Sequence, residues 1–191
     1  IRDQETAEMA VHASLTGHLV FATLHTNDSA GAVTRLINMG IEPFLVTSST
    51  IAIQAQRLVR RICPHCKEAF TPDPESLSEL GIRVDERAQH LYRGTGCDRC
   101  SNRGYFGRTG IFELLVMNPR IQELVIQDAD SNVLKREARK FGMRSLREDG
   151  ADKMLREVFG PTSMRRLILR GMTTMEDIMR VPRDDIVEEV L

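Results

Sequence analysis

Two pairs of cysteines, Cys63-Pro64-His65-Cys66 and Cys97-Asp98-Arg99-Cys100, constrain this 191-residue chain more than any other feature. They are the only cysteines it has. A C-x2-C knuckle lets two thiolates hold one ion, and two knuckles complete a tetrahedron of about 2.3 Å zinc–sulfur bonds. The chain opens Ile1-Arg2-Asp3 rather than with Met, and no basic-then-apolar leader is recognisable. The expectation is a piece of a longer cytosolic protein, where paired cysteines hold metal more often than they form disulfides. The 30 residues 67–96 between the pairs exceed the usual spacer of roughly 15–20, which implies an extra loop. Arg60, Arg61, Lys67, Arg99 and Arg103 can offset the excess negative charge of four thiolates on a zinc dication. Such a closed centre leaves no position open to substrate, so the zinc is expected to be structural; unmetallated or redox thiols and an iron–sulfur site are the alternatives.

Charge and composition exclude several classes. Lys and Arg total 26 against 27 Asp and Glu, so no global field draws the chain to nucleic acid or anionic lipid. Trp is absent and aromatics are 5%, which leaves little with which to stack bases. No stretch reaches the ~18 uncharged apolar residues that a membrane-spanning helix needs. A zinc-ribbon module for nucleic acid is the remote alternative. The arginines near the cysteines favour it, while the net charge and the acidic end (Asp184, Asp185, Glu188, Glu189) oppose it.

Three blocks are expected: 1–62, 63–107 and 108–191. In the first, Asp3 caps a helix to about Leu15 that buries Ala7, Ala10, Val11 and Leu15 and ends at Thr16-Gly17. The apolar run His18–Leu24 reads as a strand buried on both faces of a parallel sheet. Asn27, Asp28 and Ser29 offer caps for a helix through Met39, closed by Gly40. Pro43 starts another helix toward Ala55. Leu58–Ile62 is a strand leading into the first cysteine pair. The middle block is mostly loop with short hairpins. In the third block, Ile111–Val116 is a strand that can pair with Leu58–Ile62, making the zinc module an excursion between neighbours. Asn118-Pro119 opens a helix, and Ser131 caps another with Val133, Leu134, Ala138 and Phe141 on its apolar side, ended by Gly142. Ser145–Glu148 and Thr173–Glu176 match capping boxes, and Gly171 stops a helix from about Thr162.

In an open parallel sheet, ligands bind beyond the carboxyl ends of the strands, often at the next helix N-terminus. His25, Thr26 and Asn27 would then sit where a phosphate meets a polar rim and helix amides. The alternative is that Asn27 or Asp28 only caps the helix and His25 is a solvated loop residue.

Leu15–Asp28 (LTGHLVFATLHTND) resembles the histidine box of the secretion ATPase superfamily, the RecA-like hexameric motors of type II secretion and type IV pili. Ile1–Ala7 resembles the tail of that family's Walker B segment. Ala55–Arg60, the paired cysteines, Gly107–Ile111 and Gly142–Gly150 follow in the family's order. The resemblance implies an α/β fold: the C-terminal part of a RecA-like P-loop core, with an inserted tetracysteine module and a C-terminal helical domain. It implies an ATPase using ATP and magnesium, assembled as a homo-hexamer. Such a ring is peripheral to the cytoplasmic face of the bacterial inner membrane and meets the membrane only through partner proteins. Those partners are the platform and cytoplasmic-domain proteins of the machine.

Gly40–Phe44 and Arg108–Leu115 look more like the type II secretion member, with pilus extension as the alternative. The resemblance places His25 near the γ-phosphate, with Thr26 and Asn27 holding it. It places Arg2 and Asp3 just past the magnesium-handling strand, where the alternative is a cap and a surface ion pair. Arg108 matches a position near the base and ribose, or else neutralises the thiolates, and Arg57 faces the nucleotide or braces the sheet. A purely docking role for the piece is a further reading.

Two departures from the family pattern stand out. The phosphate loop with its Lys and Ser/Thr, the Walker B glutamate and the sensing arginines are not in this sequence. Residues Glu157–Arg170 add an extra helix with no assigned role. The isolated chain should therefore release no phosphate from ATP above blank. Turnover by this piece that His25→Ala abolishes would contradict the reading.

Overall fold

The computed structural model describes residues 1–75, 91–155 and 173–181. Helix α1 (Gln4–Leu15) starts where Asp3 accepts from the Thr6 amide at 2.9 Å, as a short carboxylate at an N-cap should. Helix α2 (Ser29–Asn38) has Asp28 as its cap and ends before Gly40, whose φ of +95° suits only glycine. Helix α3 (Pro43–Ser49) is shorter than the expected run to Ala55. Its hydroxyls turn back on the helix, with Thr47 and Ser48 bonding the Phe44 carbonyl and Ser49 that of Leu45. Such back-bonding residues are poor helix formers. The alternating residues after them go to strand β1 (Ala52–Ile62) instead.

Short strands β2 (Lys67–Phe70) and β3 (Leu91–Gly94) pair antiparallel, Lys67 opposite Gly94 and Phe70 opposite Leu91. Strand β4 (Tyr105–Val116) pairs with β1, so the cysteine-bearing segment leaves and returns between adjacent strands, as anticipated. Helices α4 (Pro119–Ile126), α5 (Ser131–Lys140), α6 (Leu146–Leu155) and α7 (Met175–Met179) follow. Asn118 caps α4. The caps of α5 and α7 lie one residue from those expected, at Asp130 and Thr174. Phe141 caps the end of α5 and is exposed rather than packed. The expected helix from Thr162 to Gly171, the extra helix 157–170 and the acidic end lie outside the described residues.

The architecture is mixed α/β, but the parallel sheet is not found among the described residues. Its sheets are two pairs, β1–β4 and β2–β3. His18–Leu24 has no regular secondary structure, and Leu19 and Phe21 are 72% and 89% exposed. An apolar run becomes a two-face-buried strand only with strands on either side of it, and among the described residues no strand pairs with it. Leu15 is likewise exposed, so α1 buries only Ala7 and Val11 fully.

The chain divides into two compact units. Of the described residues, 1–56 and 112–145 make the first; 57–75, 91–111, 146–155 and 173–181 make the second. The helices grouped in one sequence block thus divide, α4 and α5 going to the first unit and α6 and α7 to the second. The first unit has a continuous core of Val33, Leu36, Val46, Leu115, Ile121 and Leu134 among others. In the second, Val59, Ile62, Leu91, Ile111, Met154 and Ile178 are buried.

The second unit also holds a charged clamp between residues far apart in sequence. The Arg60 guanidinium meets Asp177 at 2.6 Å and 2.9 Å, while the Arg60 amide donates to the other carboxylate oxygen at 2.9 Å. Its Cζ lies 3.9 Å from the Tyr105 ring centroid, and the Tyr105 hydroxyl lies 3.2 Å from that of Thr174. Arg60 therefore joins β1 to α7 and is not spent on the thiolates. Its hydrogen bond to Asp177 raises its pKa further. Because the guanidinium is partly solvated, Asp177→Ala should cost roughly 1–2 kcal/mol. A fall of several degrees in the thermal midpoint would register this, and an unchanged midpoint would contradict it.

Candidate functional site

The four cysteines converge. All four Sγ atoms lie within 4.8 Å of one another, with Cys63 and Cys100 buried and Cys66 and Cys97 half-buried. Three of the edges measure 3.9 Å (Cys63–Cys97), 3.8 Å (Cys66–Cys100) and 3.7 Å (Cys97–Cys100). A tetrahedron of about 2.3 Å metal–sulfur bonds has edges of about 3.8 Å. The donor set therefore fits a four-coordinate thiophilic ion. The Cys97 and Gly104 amides each donate to Cys100 Sγ at 3.3 Å, aiming backbone dipoles at the sulfur.

The thiols compete for charge. Burial alone would push Cys100 up, but those two amides and the neighbouring thiols outweigh it and bring it down to about 6. Burial and the adjacent sulfurs push Cys66 up to about 12. Four thiolates this close require a positive ion among them.

Two glycines make the convergence possible. Gly94 on β3 and Gly104 at the foot of β4 cross in contact, and a methyl group on either would fall inside the other's carbonyl oxygen. Gly104 also has φ +75°, which a side chain would strain. The crossing lets Gly104 accept from the Cys63 amide at 3.0 Å, while the Thr95 amide donates to the Cys66 carbonyl at 3.0 Å. Both knuckles are tied to each other's loops in this way. Of the basic residues expected to balance the thiolates, Arg103 bonds the Cys100 carbonyl at 3.2 Å and Lys67 lies over the Tyr92 ring. Arg61 and Arg99 are exposed.

The other candidate residues divide between the units. His25, Thr26, Asn27, Arg2 and Asp3 lie in the first. His25 and Asn27 are exposed on the segment between α1 and α2, which is no strand end. The Ile1 nitrogen bonds the Thr23 carbonyl at 2.6 Å, so Arg2 and Asp3 begin beside that segment. Asp3 is taken by its cap: the Thr6 amide, then the Thr6 hydroxyl, lower its pKa. Arg57 is half-buried on β1 and Arg108 exposed on β4, both in the second unit.

The N-terminus of α2 is already filled. Asp28 Oδ1 accepts from the Gly31 amide at 2.7 Å, and Glu113 Oε1 accepts from the Ser29 amide at 2.8 Å and from the Ser29 hydroxyl. Glu113 is 1% exposed. Lys135 of α5 meets Asp28 at 3.0 Å. Two of the helix amides that a phosphate was expected to find, those of Ser29 and Gly31, are thus held by carboxylates. Glu113 was missed in the sequence, although Ile111, Glu113, Leu115 and Met117 alternate onto one buried face. A lone acid on such a face was the available signal.

The chain matches the family model described as type II/IV secretion system protein over residues 1–180. It is 47% identical over 186 residues to a type II secretion system protein E of Pseudomonas aeruginosa, covering 97% of this chain and 34% of that protein. It is 46% identical over 180 residues to a type IV pilus assembly ATPase PilB of Thermus thermophilus, covering 94% of this chain and 19% of that protein. The chain thus spans between about a fifth and a third of these relatives' length. A crystal structure of the pilus retraction motor PilT with bound ADP covers 78% of this chain and 36% of that one, at 22% identity and a TM-score of 0.42. That likeness is too slight to carry an argument.

The crossing glycines and the sulfur cage yield one expectation for the metal. Freshly purified, reduced protein should carry one equivalent of thiophilic metal, and Gly104→Ala should carry less than a third as much, because the knuckles can no longer meet. Elemental analysis giving equal content for both would contradict this, as would under a tenth of an equivalent in the unaltered chain.

Proposed function

This chain belongs to the type II/IV secretion system protein family, and we propose that it is the C-terminal part of a RecA-like ATPase that powers pseudopilus assembly and protein export in type II secretion. The observation that carries this is 47% identity along 97% of the chain to a protein named for that system. Pilus extension is the second reading, supported by 46% identity to a pilus assembly ATPase. On either reading the whole enzyme is a hexamer using ATP and magnesium. It works in the cytoplasm against the inner membrane, which it reaches through the platform and cytoplasmic-domain proteins. Among the described residues no helix is long and apolar enough to cross a membrane.

The four cysteines would hold zinc. With every coordination position taken by sulfur, the ion ties β1 to β4 and does no chemistry.

Phosphoryl transfer demands positioning and charge stabilisation more than covalent chemistry. His25 is the residue assigned to the γ-phosphate, with Thr26 and Asn27 beside it. Since Glu113 and Asp28 hold the Ser29 and Gly31 amides, side chains of this segment would carry that recognition. Arg2 and Asp3 are assigned a place just past the magnesium-handling strand. Arg108 is assigned to the nucleotide's base and ribose end, and Arg57 either faces the nucleotide or braces the sheet.

Loss of one transition-state contact typically costs about 2.7–4 kcal/mol, or roughly 10²–10³ in rate. The adenine and the inner phosphates are held elsewhere, so ground-state affinity should change little. His25→Ala in the full-length protein should cut ATP turnover at least tenfold while nucleotide affinity stays within about threefold. Unchanged turnover would overturn the assignment, and a collapsed melting temperature would give His25 a structural role instead.

A further inference from the structure

Glu113 lies on the inward face of β4 between Ile111 and Leu115, where an aliphatic side chain would be the ordinary occupant. Burying a carboxyl group costs free energy unless donors meet it. Here they do. The Ser29 amide and hydroxyl both donate to Oε1, at the positive end of α2. The Ser29 hydroxyl lies 3.8 Å from the Met143 sulfur, so the group is closed on that side by an apolar residue.

The next residue back, Asp28, is fixed a second time by Gly31 and by the buried Lys135. Its carbonyl accepts from the Thr26 hydroxyl at 3.1 Å. The exposed segment carrying His25 therefore ends at two residues held by charged groups from β4 and α5. His25 lies three residues before Asp28, so the fixed start of α2 limits where the imidazole can be placed.

We infer that Glu113 is a positioning residue for His25: through Ser29 it fixes the start of α2 and so the reach of the His25–Asn27 segment. It touches no substrate. This rests on the reading of His25 given above, and a double-mutant cycle separates the two.

In the full-length ATPase, Glu113→Gln and, independently, Ser29→Ala should each lower kcat at least threefold while nucleotide affinity stays within about threefold. Ser29→Ala leaves the backbone donor in place and guards against a Glu113 variant that fails to fold. In the double variant with His25→Ala, Glu113→Gln should lower kcat no more than twofold beyond His25→Ala alone, because its effect acts through a ring no longer there. The His25 ring resonances should shift or broaden in Glu113→Gln while those of His12 stay put. Full multiplication of the two effects would make Glu113 merely structural and overturn the inference, as would an unchanged kcat in both single variants. An inert His25→Ala would instead defeat the underlying reading, and the positioning role with it.

Discussion

Four sulfur atoms packed within 4.8 Å of one another impose the tightest constraint in the second unit. Mutual repulsion and burial forbid four thiolates there unless a cation sits among them. Everything nearby is arranged to bring them that close. The β2–β3 hairpin is only four residues deep, and Gly94 and Gly104 touch backbone to backbone. The Cys97 and Gly104 amides are turned toward Cys100. A thiophilic metal bound there would supply binding energy that a short hairpin could not draw from apolar burial. Because β1 leads into the first knuckle and β4 leads out beyond the second, the same centre sets how those strands begin and end.

The first unit meets a related constraint by other means. Its charged groups are not gathered around an ion but distributed at a helix start, where Asp28, Glu113 and Lys135 offset one another. A buried carboxyl and a buried ammonium are costly singly and tolerable when each has donors or an opposite charge. The arrangement stiffens one end of the segment that carries the residues assigned to the nucleotide, while the segment itself stays exposed.

Much of this was legible because it is local. Cap residues and glycine stops placed α1, α2 and α4 within a residue or two, since each depends on a side chain bonding an amide three positions away. The cysteine spacing foretold the sulfur cage, and two apolar runs foretold the β1–β4 pair. What failed was non-local. The run His18–Leu24 has the composition of a buried strand, but composition cannot say whether neighbouring strands are present. The alternation from Ile53 to Val59 belongs to a strand that sequence had partly given to a helix, since Ile-Ala-Ile-Gln-Ala suits either period. Arg60–Asp177 and Ser29–Glu113 join residues 117 and 84 positions apart, beyond any spacing rule. Family resemblance named His25 and Arg108 without showing what surrounds them, and the filled N-terminus of α2 was the surprise there.

The cage of sulfurs is the claim from which the rest of the account proceeds. X-ray absorption at the zinc edge, on protein purified without added metal, tests it most directly. The account predicts a first shell of four sulfur scatterers at about 2.3 Å and no light-atom ligand. A shell containing nitrogen or oxygen, a shell with fewer than four sulfurs, or no zinc edge at all would contradict it.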